Sequence, residues 1–220
     1  MPGKIGILLS GLGFENGTQV LELPFIYQII EKHGALPVCL IPNKLAPSAG
    51  RGKAYVERDL LAECEPVIRG EGVAVKDIDP QKLSGLIIPG GKGPITVLTD
   101  ISEAGADARV VRAVQDLIVG VHVRGKPVGS LGYGGALALV ALKRSIEDPI
   151  ITLGEDAVLT GTLSALGIAP VNVGPHEVIF DEDNLLLSAS GISPGSSISK
   201  GAEGVIRLTE AILEMRNKKR

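Results

Sequence analysis

The stretch Gly125-Lys-Pro-Val-Gly-Ser-Leu-Gly-Tyr-Gly-Gly135, running on into Ala136-Leu-Ala-Leu-Val-Ala-Leu142, decides the fold. Lys126 to Ser130 suits a short buried strand, and Gly134 to Leu142 has the unbroken apolar character of a helix covered on every side. Only Leu131-Gly132-Tyr133 is left to turn the chain between them. A strand-to-helix turn this tight has the shape of a nucleophile elbow, which thrusts its apex side chain into a pocket at the cost of backbone strain. The apex residue is Gly132, so this elbow carries no nucleophile.

Two further strand-and-turn units precede it. Lys4-Ile-Gly-Ile-Leu-Leu-Ser10 is the continuous apolar run of a parallel strand covered on both faces, and a glycine-rich loop follows it. Leu83-Ser-Gly-Leu-Ile-Ile-Pro-Gly-Gly91 is a strand ending in a Pro-Gly-Gly turn. Between them the pattern predicts a helix from Thr18 to His33, closed by Gly34 and kinked or reset by Pro24. A strand over Leu36–Ile41, a surface loop over Pro42–Lys53 and a helix over Tyr55–Ile68, disturbed by Pro66, come next. Asp79-Pro80 fits an N-cap followed by proline at N1, starting a short helix.

A long helix is predicted over Ala106–Val123, stopped by Gly125, and another over Asp156–Leu166. Short strands follow at 169–173, 177–180 and 185–188, the last two forming an antiparallel edge hairpin around Asp181-Glu-Asp-Asn184. A final helix spans Ser197–Met215, ahead of the basic end Arg216-Asn-Lys-Lys-Arg220. Strands alternating with helices predict an α/β three-layer sandwich with a mainly parallel central sheet. With neither internal repeat nor linker, residues 1–220 read as one domain.

Composition narrows the function classes. A net charge of −3, with charged residues at 21% and the hydrophobic set at 45%, excludes a disordered chain and argues against a nucleic-acid partner. Aromatics are 3% with no tryptophan, which leaves little for base stacking and makes the core aliphatic. Cys39 and Cys64 have no metal spacing and form no disulfide framework, as suits a reducing compartment. Neither a signal peptide nor an apolar run of membrane length is visible, so the expected location is the cytoplasm.

Taken together, Ser10-Gly-Leu-Gly13 with Asn16-Gly17 and Glu22, then Leu86-Ile-Ile-Pro-Gly-Gly91, Gly125-Lys-Pro-Val-Gly129 and Phe180-Asp-Glu-Asp-Asn184 resemble the ES1 family. These proteins, also called enhancing lycopene biosynthesis or ElbB-like, belong to the DJ-1/PfpI branch of the class I glutamine amidotransferase-like superfamily. The resemblance covers nearly the whole chain. It implies a flavodoxin-like fold and a glyoxalase-like activity on small α-oxoaldehydes, with neither cofactor nor metal. It also implies an apex cysteine as nucleophile at the position of Gly132, assisted by the carboxylate of Glu22. Backbone N–H groups of Gly91 and Tyr133, with Gly13 and Asn16 in the loop after strand 1, are the implied ligand-binding positions. A homodimer and a small carbonyl or carboxylate ligand are the implied partners.

This chain departs from the family at the nucleophile. A thiolate needs sulfur, and Cys39, in a strand, and Cys64, in a helix, lie in segments that do not reach the elbow. Ser130 shares the apex parity but sits down inside the sheet. His33 and His122 lie near helix ends and His176 before an edge strand, so neither a Ser-His-Asp triad nor a metal cluster is expected. Gly11-Leu-Gly13 lacks the third glycine of a dinucleotide fingerprint, and Gly90-Gly-Lys-Gly93 lacks the Ser or Thr of a phosphate loop. Three readings remain: a binding protein or pseudoenzyme keeping the pocket and Glu22; an enzyme using Glu22 in non-covalent acid/base chemistry; or a structural or regulatory dimer with a vestigial pocket, favoured if Tyr133 or Leu12 fills the cavity.

Overall fold

In the computed structural model, which describes residues 2–47, 57–154, 161, 163, 164 and 168–216, the apolar runs become the strands of one sheet. In chain order the elements are β1 (Lys4–Leu8), α1 (Leu23–Lys32), β2 (Leu36–Ile41), the small pair β3 (Leu45–Pro47) and β4 (Glu57–Asp59), α2 (Leu60–Cys64), β5 (Glu71–Ala74) and β6 (Leu83–Ile88). The short helices α3 (Gly93–Thr96) and α4 (Ile101–Ala104) precede α5 (Arg112–His122), β7 (Val128–Leu131), α6 (Gly134–Leu142), β8 (Val178–Asp181), β9 (Leu186–Ala189) and α7 (Ile198–Met215). The seven strands of the main sheet lie in the order β5-β2-β1-β6-β7-β9-β8. Only β8 is antiparallel to its neighbour. This is the expected flavodoxin-like α/β architecture.

Adjacent residues of β7 show the three layers. Gly129 faces α7, where an added Cβ would come within 2.2 Å of Ile212 Cδ1, and Ser130 faces Gly135 of α6 on the other side. Helix α6 is buried along all nine residues, which is why its sequence shows no polar face. The chain runs from β1 to β2 and β5 toward one edge, then returns to β6 on the other side of β1. That crossover makes a topological switch point between β1 and β6, the place where open α/β sheets form ligand crevices at the carboxyl ends of strands.

Several local expectations shift. Pro24 starts α1 rather than kinking it, because a single 3-10 turn over Val20–Glu22 precedes the helix and puts the proline in the first turn, where it costs no hydrogen bond. The helix predicted over Tyr55–Ile68 shrinks to α2, with β4 before it and a 3-10 turn over Glu65–Val67 holding Pro66. Helix α5 begins only at Arg112 because Val111 N–H donates to Leu98 O (2.9 Å), tying the preceding residues to another loop. No ladder forms over 169–173, where Val171 N–H makes a single bond to Ile151 O at 2.8 Å. Strand β5 is short and largely exposed, so it carries no apolar run to betray it.

The Asp79 cap is present, its Oδ1 accepting from Gln81 N–H at 2.8 Å. The β8–β9 hairpin is also present at the sheet edge, with the Asp181 carboxylate accepting from Asn184 N–H and Ile150 N–H. The predicted loop beyond residue 47, most of the helix over Asp156–Leu166 and the basic end beyond Arg216 lie outside the described residues.

Candidate functional site

A cavity of about 490 Å³ opens beyond the carboxyl ends of β6, β7 and β9, with Glu22, Gly91, Gly132, Tyr133, Ser190 and Ile192 in its wall. Glu22 is 1% exposed. Its Oε2 accepts from Gly90 N–H at 2.7 Å and its Oε1 from Ile192 N–H at 2.8 Å. Gln19 grips the same two residues by their carbonyls: its main-chain N–H donates to Gly90 O (2.9 Å) and its Nε2 to Ile192 O (2.6 Å). The segment leading into α1 thus ties the end of β6 to the end of β9. Glycine is required beside the carboxyl, since a Cβ on Gly191 would stand 2.3 Å from Glu22 Oε1.

Burial dominates the acidity of Glu22. Loss of solvation pushes its pKa from 4.5 up to about 7, against the smaller opposing pull of the Ile192 and Gly90 N–H groups. The group therefore exchanges a proton near neutrality, inside a cavity wall.

The elbow forms as read. Gly132 has φ +46°, its N–H donates to Ala189 O (2.9 Å) and its carbonyl receives Gly135 N–H (3.0 Å). Among the described residues a Cβ there would meet only Ser190 O, at 3.2 Å, so those residues leave the space above the apex open. Gly91, at φ +88°, must be glycine, because a Cβ would lie 2.2 Å from Gly17 O. Tyr133 forms a side wall with Phe14, ring centroids 6.2 Å apart, and does not fill the cavity; Leu12 is not in its lining. At the mouth Lys92 Nζ pairs with Glu15 at 2.8 Å.

Of the positions singled out in the sequence, Glu22, Gly91, Gly132 and Tyr133 come together on this cavity, whereas Gly13 and Asn16 do not line it. Gly13 N–H closes its own loop onto Thr18 O (3.0 Å). Asn16 accepts from Arg58 through its carbonyl and from Thr96 Oγ1 through its side chain (2.8 Å), which uses its polar atoms to hold the loop. Cys39 and Cys64 are fully buried elsewhere, and burial pushes both thiols up, Cys64 to about 12. Ser130 is enclosed beneath the turn, and no histidine lines the cavity. Among the described residues no group of three or more His, Cys, Asp or Glu side chains is placed to hold a metal ion.

Sequence reasoning missed Gln19 and the run Ser190-Gly191-Ile192. The signal available was positional: Ser190 directly follows a parallel strand, where the crevice of such a sheet opens.

No protein-family model matches the chain. It is 22% identical to the ES1 protein homolog, mitochondrial, of Rattus norvegicus, over 98% of this chain and 85% of that protein. To the human glutamine amidotransferase-like class 1 domain-containing protein 3, mitochondrial, it is 23% identical over 98% of this chain and 84% of the relative. The crystal structure of an isoprenoid biosynthesis protein with an amidotransferase-like domain from Ehrlichia chaffeensis superposes with a TM-score of 0.83 at 18% identity, covering 96% of this chain and 99% of that one. Over nearly its whole length the chain is similar to the ES1/ElbB-like proteins, and its fold is that of the DJ-1/PfpI proteins.

A more distant neighbour of this ES1-like protein is glyoxalase III of Candida albicans, with a TM-score of 0.61, 11% identity and 97% of each chain covered. The relatives correct one expectation. The rat and human proteins are named mitochondrial, which conflicts with a cytoplasmic location. Free cysteines do not distinguish one reducing compartment from another. No helix among the described residues is long and apolar enough to cross a membrane.

Proposed function

We propose that this ES1-like protein binds a small carbonyl or carboxylate compound and has lost the cysteine chemistry of its superfamily. The observation that carries this reading is the open space above Gly132, at positive φ, in one cavity with the buried Glu22 carboxyl. By resemblance Gly132 occupies the nucleophile position, and neither remaining thiol lines the cavity. Without a thiolate no hemithioacetal forms with an α-oxoaldehyde. The site keeps backbone donors and an acid, which suffice for recognition.

A second reading is favoured by the acidity of Glu22, poised near 7 as a general base should be. In it Glu22 moves a proton on an α-oxoaldehyde while the Gly91 and Tyr133 amides stabilise the enediolate. Incubation with methylglyoxal separates the two. The binding reading expects no lactate above the uncatalysed rate. Turnover that survives alkylation of Cys39 and Cys64 but vanishes in Glu22→Gln would establish the second. The protein is also proposed to be a homodimer, tested below.

A further inference from the structure

The Ser190 hydroxyl is a polar group of the cavity wall that the clamp leaves over. Its Oγ is buried and finds no hydrogen-bond partner among the described residues. An orphaned buried hydroxyl costs free energy unless something else pairs with it. Ser190 lines the cavity one residue before Gly191, which lies against Glu22. The N–H of Gly91, a lining residue at the turn after β6, also meets no acceptor among the described residues.

The third group is Glu22 itself. Both of its oxygens receive backbone N–H groups, so in its neutral form the acid still has one proton to give, and neither Gly90 N–H nor Ile192 N–H can accept it. Three donors thus border one space. A group with two acceptor oxygens and no proton of its own is their complement. Beyond these donors Leu153, Val173, Pro175 and Pro194 give the wall an apolar part, while Glu15, Lys92, Tyr133, Ser193 and Ser196 add polar side chains to it.

We propose that the cavity takes a monocarboxylate with a compact apolar tail, anchored by the Ser190 hydroxyl and the Gly91 N–H, and that Glu22 binds a proton as the ligand enters. The inference rests on the reading of the cavity as a ligand site and names its ligand class. A carboxylic acid facing a carboxylate makes a short charge-assisted O–H···O⁻ bond, whereas two carboxylates in one dry site repel. Little else near Glu22 titrates. The turn after β6 contributes Lys92, already paired with Glu15 from the loop after β1; the start of α6 contributes Tyr133; the segment from Ser190 to Ser196 and the first turn of α1 contribute no ionisable group. The raised acidity of Glu22 sets the pH at which the coupling is seen.

Calorimetric titration of the full chain with isobutyrate, and with its neutral isostere isobutyramide, from pH 5.5 to 8.5 tests this. Isobutyrate stays ionised over that range. Its affinity is expected to be level below about pH 7 and to fall about tenfold per pH unit above it, with close to one proton taken up per ligand at high pH. Isobutyramide is expected to bind at least tenfold more weakly at pH 6. Ser190→Ala should lose about tenfold in isobutyrate affinity while keeping or raising its melting temperature, because it removes an orphaned hydroxyl. A purely structural serine would give the reverse, an unchanged affinity and a lower melting temperature, and would overturn the role of Ser190. Amide binding as tight as acid binding, or acid binding independent of pH, overturns the ligand class while leaving the cavity a binding site. No binding of either compound at any pH overturns both this inference and the proposed function.

Discussion

Glu22 is held by two backbone N–H groups that favour its charged form and by burial that disfavours it, and burial wins. The sign of the consequence follows from linkage. Because the folded-state value, about 7, lies above the ordinary 4.5, the folded protein binds the proton more tightly than the unfolded chain. The contribution of this group is therefore most favourable below pH 4.5, declines as pH rises toward 7 and is level above it. The shift corresponds to a loss on the order of 3 kcal/mol. Urea denaturation of the wild type and Glu22→Gln at several pH values should show the difference between them changing over that window and not above it. At the apex, Gly132→Cys is expected to fold at a cost of roughly 1–3 kcal/mol for a side chain at positive φ. The open space above Gly132 admits the thiol. Its alkylation by iodoacetamide, followed by mass spectrometry, should outpace that of the buried Cys39 and Cys64. An introduced thiol no more reactive than an ordinary free cysteine would mean that the cavity no longer activates a nucleophile.

The elements that set the cavity meet at glycines. Helix α6 starts so close to β6 that a Cβ on Gly134 would stand 2.5 Å from Ile88 O, a backbone atom that cannot swing aside. Gly134→Ala should therefore lower stability by roughly 1–3 kcal/mol by prising the helix from the strand. Gly13 provides the contrast: it has φ +96° and no described residue within 4 Å of an added Cβ, so Gly13→Ala should cost only the backbone term, roughly 1–2 kcal/mol, and leave the cavity intact. Denaturation midpoints measured together with isobutyrate affinity would separate the two, since only the first should disturb binding. The same close approach explains the unusual burial of α6, whose small residues let it lie flat on β6 and β7.

At the scale of the whole molecule the sheet order brings distant segments to one crevice. The switch point between β1 and β6 is a property of chain path, and the cavity lies beside it, beyond the ends of β6, β7 and β9 with the loop after β1 at its mouth. The outer surface bears exposed aliphatic residues, among them Leu21 at 48% and Ile198 at 54%. Next to Leu21 in the chain, Val20 lines a groove along α1 with Leu23, Pro24, Tyr27 and Val67, rimmed by Gln28, Glu31, Lys32 and Arg69. Light scattering at micromolar concentration is expected to give twice the mass of the chain, in keeping with the proposed homodimer. A mass of one chain would rule the dimer out.

The amino-acid sequence alone carried the parallel core strands, the tight strand-to-helix turn at Gly132 and the edge hairpin, whereas Glu22 stood out only through the family resemblance. The first three are legible because each rests on a local pattern: a continuous apolar run, a glycine at a forced turn, or a motif with its own spacing. Elements whose ends depend on distant partners were not legible, such as the late start of α5, fixed by Leu98, and the exposed edge strand β5. The site divides in the same way. Gly13 and Asn16 share a loop with the motif, but only the folded chain shows that Thr18, Arg58 and Thr96 occupy them. The clamp from Gln19 to Ile192 spans 173 positions, and the orphaned Ser190 hydroxyl becomes significant only once β9 is laid beside β7. Tertiary structure decided these features because burial and hydrogen-bond partners are set by which strand ends converge, and that convergence depends on crossovers that no local window of sequence contains.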